Sequence, residues 1–223
     1  MLFRAGRVPE KLPSSFSPSS CRAMRAIEAS LLQGRELYRE VVLDKLAHAR
    51  ESVDIATSNL KDMQVERGGR FDSVLALFSE LNARGVALRL LHAELPSRPF
   101  RASFEKRRRL TGGGLQLKIC PRVHFKSVVV DGAWAYFGSA NFTGAGLGAK
   151  ADGRRNFELG VCTEDFETID RISALFEAVW SGAECATCKL RRVCPDPIGE
   201  EAPRSLVRLG HARRLRVGRR AVS

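Results

Sequence analysis

Apolar residues along the chain alternate between two spacings, which predict helices and strands in turn. Apolar residues three and four apart between positions 31 and 50 predict an amphipathic helix, and a short apolar strand follows at residues 52–57. The alternation then continues with a helix at residues 72–84, a strand at 86–93, a helix at 96–110 and a strand at 115–120. Gly85 marks the end of the second helix, because glycine readily adopts the backbone conformation found at helix ends.

A β-hairpin is predicted in the middle of the chain. The apolar runs at residues 128–130 and 133–137 are joined by Asp131-Gly132, which accommodates the positive φ angles of a tight turn. A further strand is predicted at residues 157–163, and a last amphipathic helix at residues 166–182. Strands that alternate with helices predict an α/β fold in which helices cover both faces of a mixed sheet.

Polar residues interrupt the apolar pattern in three pairs, each with its members two positions apart. These pairs are His124 with Lys126, Ser139 with Asn141, and Asn156 with Glu158. Residues two apart in a strand project from the same face, so each pair is predicted to face one shared site. The hairpin brings the first two pairs together, which makes this cluster the candidate site of chemistry.

The residues of this cluster carry a resemblance to a known family. They follow the pattern H-x-K-x4-D-x6-G-S-x-N, filled by His124, Lys126, Asp131, Gly138, Ser139 and Asn141. This pattern resembles the signature of the phospholipase D superfamily, and the similarity covers about residues 31–182. The resemblance implies a phospholipase-D-like mixed sheet flanked by helices. The chain carries the signature once, which resembles the branch of bacterial nucleases that work as homodimers.

The resemblance also implies a role for each residue of the signature. His124 would attack phosphorus to form a phosphohistidine, while the partner subunit's His124 would protonate the leaving group. Lys126 and Asn141 would hold the phosphoryl oxygens, and no cofactor would be needed for catalysis. Glu158, together with Ser139, would orient the ring of His124 by a hydrogen bond to its far nitrogen. Asp131, at the turn, is either a member of the site or a structural turn residue.

Charge and composition narrow the partners and the compartment. The 223 residues carry a formal net charge of +12, which favours a polyanionic partner: nucleic acid or an anionic phospholipid surface. There is no run of about 18 apolar residues and no secretory signal in residues 1–20, so a cytoplasmic protein without a transmembrane segment is expected. We predict a flexible leader (1–20), a catalytic domain (21–182), a cysteine-rich extension (183–202) and a basic tail (203–223).

The extension contains three cysteines in a C-x2-C-x5-C pattern, at Cys185, Cys188 and Cys194. In a cytoplasmic chain this spacing favours a structural zinc ion or a 4Fe-4S cluster over a disulfide. The spacing also resembles the iron-sulfur staple of certain helicase-associated nucleases, which implies an upstream fourth ligand such as Cys21. The apolar surroundings of Cys120 and Cys162 predict that both are buried core thiols.

Three functions are compatible with these features. The leading hypothesis is a metal-independent phosphodiesterase that cleaves DNA or RNA. The second is a phospholipase D or phosphatidyltransferase that acts on membrane lipids, since the same residues would serve. The third is a nucleic-acid-binding component of a bacterial defence complex, such as the DISARM type, in which the site is dispensable.

Overall fold

The structure, a computed structural model, describes residues 25–198. A seven-stranded sheet with the strand order β1-β9-β8-β7-β2-β5-β6 forms its centre, and β3 and β4 form a separate hairpin. The strands are β1 (Ser30–Gln33), β2 (Ser52–Thr57), β3 (Gln64–Arg67), β4 (Arg70–Ser73), β5 (Ala87–His92), β6 (Gln116–Ile119), β7 (Lys126–Val130), β8 (Trp134–Gly138) and β9 (Leu159–Thr163). The predicted leader, Cys21 and the basic tail lie outside the described residues.

The sheet is mixed, because only its β2, β5 and β6 strands run parallel. β2 pairs with β5 and β5 with β6 in parallel, whereas β7, β8, β9 and β1 continue the sheet in antiparallel pairs. As a result, the carboxyl ends of β2, β5, β6 and β8 lie at the same edge of the sheet as the amino ends of β7 and β9. This shared edge carries the candidate site.

Helices cover both faces of the sheet, which confirms the predicted fold class. The first helical segment, α1, spans residues 35–48 as an α-helical turn (Arg35–Leu37), a π-helical stretch (Tyr38–Lys45) and a 3₁₀ turn (Leu46–His48). The other helices are α2 (Val74–Ala83), α3 (Arg98–Glu105) and α4 (Phe166–Trp180). α1 and α2 share one apolar cluster with one face of the sheet, and α4 packs on the other face.

An arginine attaches α4 to the sheet. The guanidinium group of Arg89 in β5 makes two hydrogen bonds of 2.7 and 2.6 Å to Asp54 in β2 and an ion pair of 2.6 Å with Glu177 in α4. It also lies over the rings of Phe176 and Trp180, at 5.0 and 5.3 Å from their centroids. The planar guanidinium group of arginine can stack on aromatic rings and form bidentate ion pairs with carboxylates at the same time. Arg89 therefore holds α4 in a defined position.

Several element boundaries differ from those expected. The helix predicted from residue 31 begins at Arg35, because residues 30–33 form an edge strand that pairs with β9. The third helix is shorter than predicted and ends at Glu105, followed by a π-helical turn at Leu110–Gly114. The β3–β4 hairpin was not predicted, since its apolar residues alternate over too short a distance to stand out.

Candidate active site

The polar pairs meet at one edge of the sheet because of strand register. Lys126, the first residue of β7, lies opposite Gly138, the last residue of β8, and Gly138 lies opposite Gly160 near the start of β9. The prediction that each pair lies within a strand is wrong, since only Lys126 belongs to one. The other polar residues lie in the loops just beyond the strand ends, where their side chains reach outside the apolar layer.

His124 and Lys126 form the first part of the site. The His124 side chain is exposed, whereas Lys126 is only 9% exposed. The ammonium group of Lys126 donates to the backbone oxygen of His124 at 2.5 Å and lies 3.4 Å from ring atom Nδ1. Burial lowers the pKa of Lys126, and the nearby carboxylate of Glu158 opposes that shift. A buried positive charge therefore lies directly beside the accessible imidazole ring.

Glu158 bridges the other two pairs. One of its carboxylate oxygens accepts a hydrogen bond from the hydroxyl group of Ser139, and the other accepts one of 3.1 Å from the amide of Asn156. The Ser139 hydroxyl also accepts the backbone N–H of Leu159 at 3.1 Å. The structure therefore brings Ser139, Asn156 and Glu158 together, but it shows no hydrogen bond between Glu158 and His124.

Asn141 is held by its side-chain oxygen. This atom accepts hydrogen bonds from the backbone nitrogens of Ser58 at 3.2 Å and Asn59 at 3.1 Å, just after β2. The Thr57 hydroxyl group lies at 3.2 Å from the same oxygen and accepts the backbone N–H of Phe142 at 2.9 Å. Because the oxygen is occupied in this way, the amide N–H groups of Asn141 are directed toward the site. Thr57 was missed in the sequence, where nothing relates it to a residue 84 positions later.

Gly138 allows the strands to approach each other at this edge. A Cβ atom at Gly138 would lie 2.5 Å from the backbone oxygen of Leu159, and one at Gly160 would lie 2.1 Å from the ring of Tyr136. Such contacts are far inside van der Waals distance, so neither position accepts a side chain without movement of a strand. The glycine of the G-S-x-N pattern therefore has a packing role.

Asp131 lies away from the other residues of the signature. It occupies the hairpin turn at the opposite end of β7, with φ 55° followed by Gly132 at φ 62°, which confirms the predicted tight turn. Its carboxylate accepts backbone N–H groups of Arg50, Glu51 and Ser52 at 2.8–3.1 Å. Burial by itself would raise the pKa of Asp131, but these hydrogen bonds outweigh it and hold the pKa below its ordinary value. The structure therefore does not bring Asp131 together with His124.

A polar cavity of about 230 Å³ opens beside Asn141 and Asn156. Two exposed lysines line it, Lys61 in the loop after β2 and Lys150 in the loop between β8 and β9. Neither lysine forms an ion pair with any residue in the described part of the chain. Asp62 also lines the cavity, so these residues together leave it a net positive charge next to the predicted phosphate-binding amide, which spacing alone had not identified.

The cysteines of the extension do not line the polar cavity beside Asn141. Cys185, Cys188 and Cys194 are partly exposed, and no described cysteine forms a disulfide. Burial raises the pKa of the Cys194 thiol, and the nearby thiols of Cys120 and Cys185 add to the rise. Among residues 25–198, no three His, Cys, Asp or Glu side chains have their ligand atoms arranged as around a bound metal ion.

The same part of the chain, residues 25–198, contains no helix that is long and apolar enough to cross a membrane.

Comparisons with known proteins agree on the fold. A family model described as cardiolipin synthase, PLD-like domain, matches residues 42–180. The structure is similar to that of Nuc from Salmonella typhimurium, a phospholipase D family member, with a TM-score of 0.50 and 18% identity over 69% of this chain and 95% of that one. It is also similar to NucT from Helicobacter pylori, with a TM-score of 0.49 and 16% identity over 70% and 96% of the two chains. No curated protein matches the chain.

Proposed function

Because the chain belongs to the phospholipase-D-like family, we propose that it is a metal-independent phosphodiesterase that cleaves DNA or RNA through a phosphohistidine. The main support for this proposal is that the accessible imidazole of His124 lies 3.4 Å from the buried ammonium group of Lys126. A nucleophile next to a fixed positive charge is what attack on a phosphodiester requires.

The proposed reaction has two steps. In the first, the lone pair of His124 Nε2 attacks phosphorus, the bond to the leaving oxygen breaks, and the partner subunit's His124 gives that oxygen a proton. In the second, the partner's His124 takes a proton from water, and the resulting hydroxide displaces His124 from phosphorus. Lys126 and the amide N–H groups of Asn141 stabilise the charge on the phosphoryl oxygens in both steps, which is why no metal ion is required.

The tautomer of His124 must change before it can attack. An ammonium group has no lone pair and can only donate, so its contact with Nδ1 fits a ring whose proton is on Nε2. Nε2 becomes a nucleophile only when the proton is on Nδ1, and that requires a neighbouring acceptor. Glu158 is the carboxylate that acts electrostatically on Lys126, the residue that contacts the ring. We infer that the ring rotates and donates Nδ1–H to Glu158 in the active enzyme.

We further propose a homodimer, because one chain supplies only one of the two histidines. An apolar surface suited to a second copy lies beside the site. Leu31 in β1 and Leu159 in β9 lie on the same face of the sheet and are exposed, and Phe157 next to them is fully exposed. α4 covers the central strands on this face but leaves the β9–β1 end uncovered, as expected for an interface between subunits.

Nucleic acid is the substrate that the charges favour. The net charge of +12 attracts a polyanion, and Lys61 and Lys150 extend the positive surface from Asn141 along the polar cavity. A strand that enters this cavity would place neighbouring phosphates near the two lysines while one phosphodiester reaches His124.

The test is cleavage of supercoiled plasmid, single-stranded DNA and RNA in excess EDTA. Wild-type protein and a His48→Ala control, which alters an exposed histidine away from the site, should cleave at equal rates. His124→Ala should show no cleavage. Absence of cleavage by the wild type, or undiminished cleavage by His124→Ala, would refute the proposal.

The dimer requires a separate measurement. Light scattering should give twice the mass of one chain, and Leu159→Asp should shift the protein toward the monomer with a matching loss of activity. Phe71→Asp, which places the same charge at an exposed apolar position in β4, is the control. A wild-type protein that is monomeric and fully active would contradict the dimer.

A phospholipid is the alternative substrate. The description of the matching family model names cardiolipin synthase, and the exposed Phe157, Leu159 and Leu31 could contact acyl chains instead of a second subunit. Release of head groups from phosphatidylglycerol vesicles, without cleavage of nucleic acid, would establish this alternative.

If His124→Ala keeps full function in cells, the chain instead acts as a binding component of a larger assembly such as a defence complex.

A further inference from the structure

Four cysteines line one small cavity beside β6, which is the outermost strand at the end of the sheet opposite β1. The cavity encloses about 30 Å³, and the side chains of Cys120, Cys185, Cys188 and Cys194 all contribute to its wall. Cys120 directly follows β6, whereas the other three belong to the extension after α4. The fold therefore adds to the C-x2-C-x5-C pattern a fourth thiol from a position 65 residues before Cys185 in the chain.

The backbone of the extension presents its cysteines by repeated tight turns. The N–H of Cys188 donates to the oxygen of Cys185 at 3.2 Å, that of Arg191 to Cys188 at 3.1 Å, and that of Cys194 to Arg191 at 3.4 Å. Turns that repeat every three residues return the chain to the same side, so Cys185, Cys188 and Cys194 all reach the cavity. Cys120 begins a turn of the same kind, closed by the N–H of Val123 at 2.9 Å.

Hydrogen bonds hold the extension against β6. The backbone N–H of Ile119 donates to the carboxylate of Asp196 at 3.3 Å. The ammonium group of Lys118 donates at 2.6 Å to the backbone oxygen of Trp180, the last residue of α4, and so fixes the point from which the extension leaves the helix. Cys120 is itself fixed, since its N–H donates to the backbone oxygen of His92 at 2.9 Å. The cavity wall is therefore built from two segments whose relative position is set by contacts outside the thiols.

We propose that Cys120, Cys185, Cys188 and Cys194 together bind one zinc ion. Four thiolates are a standard tetrahedral ligand set for structural zinc, and each thiol loses its proton as its sulfur bonds to the metal. In the described part of the chain no three of these side chains are arranged as ligands around a metal ion, so the cysteines must rotate when the ion binds. This assignment gives the fourth ligand to Cys120 and leaves Cys21, outside the described residues, without a part in the site.

The size and charge of the cavity suit a bound metal ion. Its volume of about 30 Å³ exceeds the roughly 10–15 Å³ that a single water molecule requires, so the cavity has room for one metal ion. Lys118, Arg122 and Arg191 also line the cavity together with Asp196, and the net positive charge of these four residues offsets the excess negative charge of four thiolates around Zn²⁺. The residues that surround the sulfurs are otherwise mainly apolar, which keeps water away from the ion.

A zinc ion at this position would close a long loop. It would join Cys120 to Cys194, and the enclosed segment contains the polar pairs of the candidate active site: His124, Lys126, Ser139, Asn141, Asn156 and Glu158. Closing a long loop restricts the unfolded chain, so the ion should stabilise the fold without taking part in the reaction. Removal of zinc with a chelator, or Cys188→Ser, should accordingly lower the melting temperature.

The test measures metal content and affinity in the full-length protein. Wild-type protein should bind one zinc per chain, and Cys120→Ser should weaken zinc binding by at least about tenfold, since a direct ligand should matter no less than its outer-shell neighbours. Cys162→Ser, which alters a buried thiol in β9, is the matched control, and Cys21→Ser tests the competing ligand. Both of these variants should keep one zinc with wild-type affinity. Unchanged zinc binding by Cys120→Ser, or loss of zinc in Cys21→Ser, would overturn the assignment.

A second measurement avoids the risk that Cys120→Ser does not fold. Wild-type protein is treated with a maleimide in the presence of zinc or of a chelator, and the labelled cysteines are identified by mass spectrometry. Zinc should protect Cys120, Cys185, Cys188 and Cys194 together. Labelling of Cys120 that does not depend on zinc would overturn its role, and iron with acid-labile sulfide in protein purified without oxygen would overturn the single-ion site.

Discussion

The side-chain oxygen of Asn141 accepts a hydrogen bond of 3.1 Å from the backbone nitrogen of Asn59, 82 positions earlier in the chain. This contact attaches the loop after β8 to the loop after β2. It also determines which end of the Asn141 amide faces the site. The oxygen is turned toward backbone donors, and therefore the N–H groups are available to a phosphoryl oxygen.

Replacing the amide of Asn141 by a carboxylate should abolish its binding of the phosphoryl oxygen but preserve its hydrogen bonds to the backbone after β2. In Asn141→Asp, one oxygen can still accept from Ser58 and Asn59, but the second places a negative charge where the phosphate must bind. We expect kcat on a phosphodiester substrate to fall by about 10²–10³, as for loss of a single charge-stabilising donor. Asn82→Asp in α2 is the control and should keep the wild-type rate. A fall of less than tenfold would contradict the role of Asn141.

Glu158→Gln tests whether a carboxylate controls the tautomer of His124. The variant keeps one acceptor oxygen for the amide of Asn156, and its new NH2 group can donate to the Ser139 hydroxyl, so the fold should be retained. It removes the negative charge that favours Nδ1–H, and kcat should fall by well over tenfold, which is a barrier increase of more than about 1.4 kcal/mol. Circular dichroism checks the fold. A smaller loss in a folded variant would argue against this role of Glu158.

Asp131→Asn should destabilise the fold without slowing the reaction. The carboxylate accepts backbone N–H groups of Arg50, Glu51 and Ser52, and charged hydrogen bonds of this kind contribute roughly 2 kcal/mol. Urea unfolding at pH 7 should show a loss of about that size. Activity per folded molecule should stay within about twofold of the wild type, since the turn lies at the far end of β7. A rate loss that exceeds the loss of folded protein would instead indicate a catalytic role for Asp131.

The same variant makes a pH prediction. The hydrogen bonds hold the pKa of Asp131 below its ordinary value, so the folded state favours the ionised form. Its stabilisation is complete above the unfolded pKa of about 4 and is lost as the pH falls through the lower folded pKa. The difference in unfolding free energy between wild type and Asp131→Asn should therefore narrow below about pH 4 and be constant from pH 5 to 8. A constant difference at all pH values would contradict the assigned role of the ionised carboxylate.

Gly160→Ala should lower stability through a steric conflict. The added methyl group would lie 2.1 Å from Cε2 of the buried Tyr136 ring, so either the ring or β9 must move. Overpacking of this kind costs about 1–3 kcal/mol, measured as a shift in the urea midpoint. Gly153→Ala is the control, because a Cβ at that position meets no atom within 4 Å and its φ angle suits any residue. Equal midpoints for the two variants would refute the packing argument.

Local features of the chain were sufficient for much of the fold. The strand at residues 52–57 was predicted with its observed bounds, and so was the start of α4 at Phe166, because each is specified by its own periodicity. Asp131-Gly132 also identified the hairpin, because the positive φ angles of its turn are a local property of those two residues. The spacing of the polar pairs also determined the choice of His124, Lys126, Ser139, Asn141 and Glu158 as candidates, before any contact was known.

The tertiary structure decided how distant segments meet. Sequence spacing could not relate Asn141 to Asn59, Asp131 to residues 50–52, or β1 to β9, because each contact depends on strand pairing between segments far apart in the chain. Cys120 shows the same limit: its apolar neighbours predicted a core thiol, yet the docking of the extension onto β6 places it with three other cysteines. Periodicity reports which face of an element is buried, whereas the partner across that face is selected by packing of the whole domain.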